Sequence, residues 1–414
     1  MEIAAPRPKT EGLNLMKRVQ VLVVGAGPVG TTAAYRLAKA GIDVMVVEAL
    51  AGCPEDMRAS TMHPPTLDMM AELGVLEDLE VQGLRAPVYQ YRNRRSGEVI
   101  EFDMAELSDI SRHPYRLQCE QFKLSRLLVR KLEALQPGSV RFLHRLVGFE
   151  QDADGITAQV ETPFAIETIR ADYVIGADGA NSSVRKWTGT EFEGFTYPER
   201  FLTLSTAYPI EKHFDRLVSV NYVADVEEWC VLLRVPAFWR ILVPTHSDVT
   251  DEELLSDAYK DSVLDRLTHN GPAVATSHRT LYRVHQRVAK SFRSGRALLA
   301  GDAAHLNNPL GGFGMNSGIH DVWNLTEKLR EILKDGGDGD ALLDRYDRQR
   351  RQIAHSFVQT QTIENKRMME SGNGEQRSEM EIQLESVVKD DARRRAYLLR
   401  QSMYQSLAEE AGIG

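Results

Sequence analysis

Residues 19–30 read Val19-Gln-Val-Leu-Val-Val24-Gly25-Ala26-Gly27-Pro28-Val29-Gly30, an apolar run that stops on three spaced glycines. The run has the length of a buried strand, and the glycines describe that strand turning sharply into a helix. Gly25 permits the tight turn, Gly27 lets a phosphate approach the backbone with no Cβ in the way, and Gly30 lets the helix pack close on the strand. The helix start then presents unpaired N–H groups to an anion. Residues 31–40 read as that helix, ending at Gly41, and residues 43–48 as a second strand whose last residue is Glu48. An acid about 20 residues beyond the glycines is where a dinucleotide's adenosine ribose needs a hydroxyl acceptor. The pattern therefore points to a dinucleotide seat without choosing between NAD and FAD. A turn that serves only helix packing is the alternative.

The bulk properties narrow the partners. Fifty Lys and Arg against fifty-nine Asp and Glu leave a net charge of -9 over 414 residues. No basic excess exists to displace counterions from a phosphate backbone, so no nucleic acid is expected. Cys53, Cys119 and Cys230 are scattered and form neither a disulfide framework nor a metal-ligand spacing, which fits a cytoplasmic protein without a metal. No stretch reaches the roughly 18 uncharged apolar residues of a membrane span, so no membrane partner is expected. Residues 1–17 read as a disordered leader.

Further along, residues 53–59 read as a loop and 65–73 as a short helix. Residues 88–92 and 98–102 form a hairpin across a turn at Arg95-Ser96-Gly97. Residues 121–135 carry apolar positions at helical spacing. Strands at 140–145, 156–161 and 166–170 read as a meander, and 173–177 as a buried parallel strand. Strands at 217–223, 229–235 and 240–243 precede a helix at 251–267. Residues 297–301 read as one more buried strand, and the chain from 318 to 407 as helical, with a break in the polar stretch 365–377.

The expected fold class is α/β, with α+β mixing. A Rossmann-like dinucleotide domain (18–80, 115–190 and 286–335) interleaves with a mixed-sheet substrate domain (81–114 and 191–285), and residues 336–414 form a C-terminal helical region.

Two further acids follow short apolar strands, Asp178 and Asp302, at the strand ends where open α/β sheets bind ligands. Asp302 opens a glycine-punctuated loop, Ala303 to Gly318, that runs into a helix starting near Met315. A helix start there would favour negative charge, as on the pyrimidine edge of a reduced isoalloxazine. Asp302 could accept hydroxyls of an extended polyol.

With these segments in order, Gly25-Ala-Gly-Pro-Val-Gly30, Asp178-Gly-Ala-Asn-Ser-Ser-Val-Arg185 and Gly301-Asp-Ala-Ala-His305, the chain resembles the group A flavoprotein aromatic hydroxylases over nearly its whole length. This is the family of para-hydroxybenzoate hydroxylase and phenol hydroxylase. The resemblance implies that Gly25, Ala26, Gly27, Pro28, Val29 and Gly30 seat the FAD pyrophosphate and that Glu48 holds the adenosine ribose. It places Arg58 and Gln121 on the ADP part, Asp302 on the ribityl chain, and Gly312, Gly314, Met315 and Asn316 against the flavin ring. Asp178, with Gly179, Ser182 and Arg185 nearby, would serve both FAD and the reductant, NADH or NADPH.

The implied reaction consumes NAD(P)H and O2 and inserts one oxygen atom into a small aromatic substrate, phenolic or heteroaromatic, through a C4a-hydroperoxyflavin. Pro309, Gly311 and Gly312 would border the oxygen site through their backbone. Tyr222, Arg234 and Arg240 are candidates to help a phenolic substrate lose its proton. His305 reads as a structural residue. Epoxidation, Baeyer–Villiger insertion and dehydrogenation stay open on this scaffold, as does a non-catalytic FAD-fold binding protein and a homodimeric assembly.

Overall fold

The computed structural model describes residues 17–55, 59–225, 228–268, 274–370 and 379–414. The opening apolar run forms the strand Lys17–Val24, which pairs in parallel with Val44–Glu48 on one side and Ile166–Gly176 on the other. Val21, Leu22 and Val23 have no exposed surface, as a strand covered on both faces requires. At its end Gly25 adopts φ +106°, and a Cβ there would fall 2.4 Å from the Ala177 carbonyl oxygen. The strand therefore turns at glycine into the helix Pro28–Lys39. Pro28 suits the first helical position, where its missing N–H removes no intrahelical bond. Val140–Phe142 extends this sheet beside Val44–Glu48, and Ala297–Leu299 extends it beside Ile166–Gly176, both in parallel. The helices Gln121–Leu135 and Phe313–Asp335 pack against Pro28–Lys39.

A second eight-stranded sheet runs in the order 305–306, 278–289, 192–206, 239–244, 230–234, 220–224, 88–93, 99–103. Every neighbour is antiparallel except Val220–Ala224 beside Val88–Asn93. Alternation sorts its side chains. Cys230, Leu232, Ile241 and Val243 pack with Val263, Leu264 and Leu267 of the helix Asp257–Thr268 on one face. Val231, Leu233, Arg240 and Leu242 turn the other way and line a cleft between the two sheets. The C-terminal helices close over this assembly within the same chain. Tyr397 of Asp391–Gln401 packs on Phe102 at 4.8 Å between ring centres, and Glu410 pairs with Arg350.

Several sequence expectations need correction. Residues 140–145 are not a strand of the meander: the meander consists of Arg145–Asp152, Gly155–Glu161 and Ile166–Gly176. The segments 166–170 and 173–177 belong to one continuous strand, Ile166–Gly176: residues 166–171 pair with Gly155–Glu161 of the meander, and from Ile169 onward the strand also pairs in parallel with Lys17–Val24. The long strands Phe192–Thr206 and His278–Ala289 escaped the sequence reading, since charged residues interrupt their apolar alternation. The helix expected at 251–267 breaks into Asp251–Leu254 and Asp257–Thr268. Helix runs on through Glu370, so no break begins at Asn365, while residues 371–378 lie outside the described residues. The leader expectation also falls there for residues 1–16, but Lys17 is already paired with Ile169. Among the described residues no helix is long and apolar enough to cross a membrane, and no cluster of His, Cys, Asp or Glu could hold a metal.

Candidate active site

The cleft holds about 600 Å³ and runs from the glycine turn to the second sheet. Gly25, Gly27, Pro28 and Val29 line its first end. The helix Pro28–Lys39 starts there with no side-chain cap and no acid in its first turn, so its N–H groups remain available to an anion. Nothing lies within 4 Å of where a Cβ on Gly27 would stand, so this backbone faces open space. Ala26 and Gly30 sit behind the wall. The Ala26 N–H donates to Glu48 Oε2 at 2.8 Å and the Leu50 N–H to Glu48 Oε1 at 2.9 Å. Glu48 lines the cleft with its carboxylate fixed, and carboxylate oxygens retain lone pairs for a diol after two such bonds. Gln121, the first residue of its helix, lines the same end, and Arg58 lies outside the described residues.

Asp178 and Asp302 both reach the cleft wall, in different situations. The Asp178 carboxylate accepts from Ser182 Oγ at 2.5 Å, Ser183 N at 2.6 Å and Val184 N at 3.2 Å, so it binds the start of the helix Ser183–Trp187. Burial pushes its pKa up, against those bonds. Its side chain shapes the Asp178–Asn181 loop from within. Asp302 is exposed to the cleft.

At the far end the helix Phe313–Asp335 begins at Gly312, again with neither side-chain cap nor first-turn acid. Gly312, Gly314, Met315 and Pro309 line the cleft, whereas Gly311 and Asn316 do not. Asn316 works behind the wall: its Nδ2 donates to Thr61 O and Gly312 O, and its Oδ1 accepts the His63 N–H at 2.9 Å. His63 is fully buried, and its Nε2 bonds the Gly311 carbonyl at 2.8 Å. Burial and the nearby Arg116 charge hold its pKa well down, so it is the neutral ring that donates to Gly311. The Asn316 side chain braces the 309–312 loop, behind the Gly312, Gly314 and Met315 that line the cleft. The sequence reading missed His63, which nothing but its place before two prolines marks.

Of the three residues assigned to substrate, Tyr222 and Arg240 line the cleft. Arg240 Nη1 donates to Ser60 Oγ at 3.1 Å. Arg234 is a correction: it lies one residue out of phase with Leu233, off the cleft wall, with its guanidinium 5.6 Å from the Trp239 ring.

Two uncapped helix starts facing one elongated cleft, a fixed acid at one end and an open glycine backbone fit a dinucleotide that carries a second ring system. The comparisons decide which. Residues 18–361 match the family model described as FAD binding domain. The chain is 32% identical over 388 residues to para-nitrophenol 4-monooxygenase of Pseudomonas sp. strain WBC-3, covering 92% of this chain and 94% of that protein. It belongs to the group A flavoprotein aromatic hydroxylases. The hydroxylase is also 32% identical over 384 residues to 6-hydroxy-3-succinoylpyridine 3-monooxygenase of Pseudomonas putida strain DSM 28022 / S16, covering 91% of this chain and 95% of that one. Its fold matches the crystal structure of p-nitrophenol 4-monooxygenase from Pseudomonas putida DLL-E4 with a TM-score of 0.87 at 31% identity, over 94% of this chain and 99% of that one. FAD is the hydroxylase's cofactor, with NAD(P)H and O2 as co-substrates.

For Asp302 the expected result of Asp302→Ala is about ten-fold weaker FAD retention, the loss of one hydrogen-bond acceptor. Flavin fluorescence released on dilution measures it. Unchanged retention would remove Asp302 from the cofactor site.

Proposed function

We propose that the hydroxylase oxygenates a single-ring, electron-poor phenol or hydroxypyridine at the carbon para to its hydroxyl, displacing the group carried there. The observation that carries this reading is the makeup of the cleft's far end. Val231, Leu233, Leu242 and Val284 form an apolar wall, Tyr222 and Arg240 add polar heads, and the Pro309–Gly312 backbone stands in the same cleft. An apolar chamber with few polar groups orients a flat ring by its oxygen. FAD, when bound there and reduced by NAD(P)H, would supply the two electrons that activate O2, which is the source of the oxygen atom that the ring accepts.

The chain's own groups do the rest. Tyr222 and Arg240 hold the ring oxygen, favouring its ionised form, which pushes electron density to the para carbon. The apolar wall excludes water. The 309–312 loop, fixed by His63 and Asn316, keeps its backbone in one arrangement beside the ring. The names of the two relatives support the position: each gives as its site the ring carbon that bears the nitro or succinoyl group, para to the hydroxyl. Glu48, Gln121, Asp302 and the two helix starts hold FAD in this reading, and the Asp178 loop takes part in receiving NADH or NADPH. Residues 18–80, 115–190 and 286–335 make up the FAD-binding domain, and the free cysteines agree with a cytoplasmic location. A homodimer belongs to the same reading, and light scattering of the holoprotein tests it.

The test is a screen of para-substituted phenols and hydroxypyridines for substrate-dependent NAD(P)H oxidation. With 4-nitrophenol the expected result is one nitrite and one benzoquinone per NAD(P)H and O2 consumed, the C–N electron pair leaving with nitrite and the second oxygen atom leaving as water. Oxidation with the nitro group retained in the product would contradict displacement.

A further inference from the structure

Arg116 is 1% exposed, on the short strand Arg116–Gln118, and among the described residues it pairs with no carboxylate. Its guanidinium lies 4.1 Å from the Tyr89 ring centre, its Nη1 donates to Tyr222 Oη at 3.2 Å, and its Nε has no partner. The titratable groups around it are Tyr89 and Tyr91 from one strand, Tyr222 from the next, and His63 from the adjoining loop. Burial raises the pKa of Tyr89 and Tyr91 and lowers that of His63, so neutral groups surround the cation. An unneutralised buried cation is among the costliest groups a fold can keep, and a residue such as Met would fill the same space without that cost. Its retention calls for a use.

Tyr222 supplies one. Its ring stacks on Tyr91 with 5.0 Å between centres, so the phenol cannot swing freely. One lone pair of Oη is occupied by Arg116, and among the described residues no acceptor takes the hydroxyl proton, although the side chain lines the cleft. A hydroxyl that accepts from a cation donates more strongly in turn.

We propose that Arg116 is the positioning residue of this site: it fixes Tyr222 as a polarised donor toward the cleft and so selects substrates that present an anionic ring oxygen, a phenolate. Arg116 touches no substrate itself. The proposal rests on the reading of the far end as the substrate chamber and adds to it the residue, outside the cleft, that makes Tyr222 favour the ionised ring oxygen. It also explains a charge inside an aromatic cluster otherwise composed of Tyr89, Tyr91, Phe102, Tyr222 and Tyr397.

The experiment titrates 4-nitrophenol bound to the oxidised holoenzyme across pH without NAD(P)H, reading the phenolate absorption band against a flavin-only reference. In the wild type the bound probe is expected to ionise at lower pH than the free probe. Arg116→Met and Tyr222→Phe should each cause a ten- to hundred-fold loss of that preference, roughly the effect of one charge-assisted hydrogen bond. The double variant should lose no more than either single one, and Arg116→Lys should recover part. Flavin content and thermal melting are followed in parallel, because a residue that only filled space would alter those and leave the probe's ionisation unchanged. An Arg116→Met enzyme that keeps its flavin and binds the probe with wild-type ionisation overturns the role of Arg116, while nitrite release by the wild type continues to support the function. A fully loaded wild type that shows no preference for the phenolate overturns the selection itself. A wild type that binds neither flavin nor probe overturns both readings.

Discussion

Gly30→Ala is expected to abolish accumulation of folded, yellow protein, whereas Gly27→Ala, three residues away, should fold and lose only cofactor affinity. A Cβ on Gly30 would stand 2.1 Å from the Gly25 carbonyl oxygen and 3.3 Å from Ala177 Cβ. Neither can yield, because the Gly25 N–H is bonded to Val47 and the Ala177 N–H to Val24 within the central sheet. The first helix would have to leave the strand it covers, exposing core around Ala33, Ala34 and Leu37. Overpacking of a yielding core costs about 1–3 kcal/mol, and here backbone meets Cβ, so the cost should exceed that range. Gly27 has open space where its Cβ would go, and the methyl group would enter only the volume proposed for the FAD phosphates. Soluble yield, circular dichroism and flavin content of the two variants check the contrast. Equal behaviour of the pair would contradict the assignment of separate packing and ligand roles.

The second large effect is expected at Asp321, on the helix Phe313–Asp335. Its carboxylate is fully buried and joins four elements: Oδ1 accepts from Arg350 Nε at 2.7 Å, and Oδ2 bonds His305 Nε2 at 2.8 Å and the Gly301 N–H at 2.9 Å. Arg350 in turn pairs with Glu410 of the last helix. Breaking a buried pair by removing one partner costs about 3–5 kcal/mol, so Asp321→Asn should lose a large share of a typical margin of about 5–15 kcal/mol. It should also loosen the Gly301–Asp302 turn and weaken FAD retention. Burial opposes the Asp321 charge, but His305 and Arg350 outweigh it and hold its pKa well below the ordinary carboxylate value. The stabilisation is therefore fully present above the unfolded carboxyl's pKa of about 4 and is lost as pH falls below it toward the folded value. Urea unfolding of both holoproteins at neutral and acidic pH checks this. The variant should be less stable at neutral pH and should lose less stability on acidification. A variant within about 1 kcal/mol of wild type at neutral pH would contradict the network's importance, given the usual cost of breaking such a pair.

The parallel sheet was legible because its strands are short, apolar and punctuated by glycine, as in Val19 to Gly30 and in Ala297 to Gly301. The helix Gln121–Leu135 was legible from spacing alone, to its exact ends. The second sheet was only half legible. Phe192–Thr206 and His278–Ala289 pair with each other across long stretches, yet Glu193, Arg200, Arg283 and Arg287 break the alternation that marks a strand. Long-range pairing, which local pattern does not encode, makes them strands.

The site divided along the same line. Residues whose role is to leave room, such as Gly25 and Gly27, carry a signature in the chain, as do acids at strand ends. Residues that brace from behind do not. His63, Asp321 and Arg116 act through neighbours up to hundreds of positions away, as His63 does with Gly311 and Asn316. A weak hint existed for two of them. Asp321 follows a buried helical stretch that includes Ile319 and His320, and Arg116 sits at an inward position of an otherwise covered strand. Arg234 shows the converse limit: an arginine on the right strand was placed on the wrong face, because a shift of one residue reverses every side chain.

The central claim is that the cleft between the two sheets brings FAD, O2 and an aromatic ring together for oxygen transfer. Turnover under isotopically labelled O2, with NAD(P)H and 4-nitrophenol, tests it most directly. The expected result is a product carrying one labelled oxygen atom per NAD(P)H consumed, with the second atom appearing as water. Product whose new oxygen comes from unlabelled water, or turnover that persists without O2, would contradict the account.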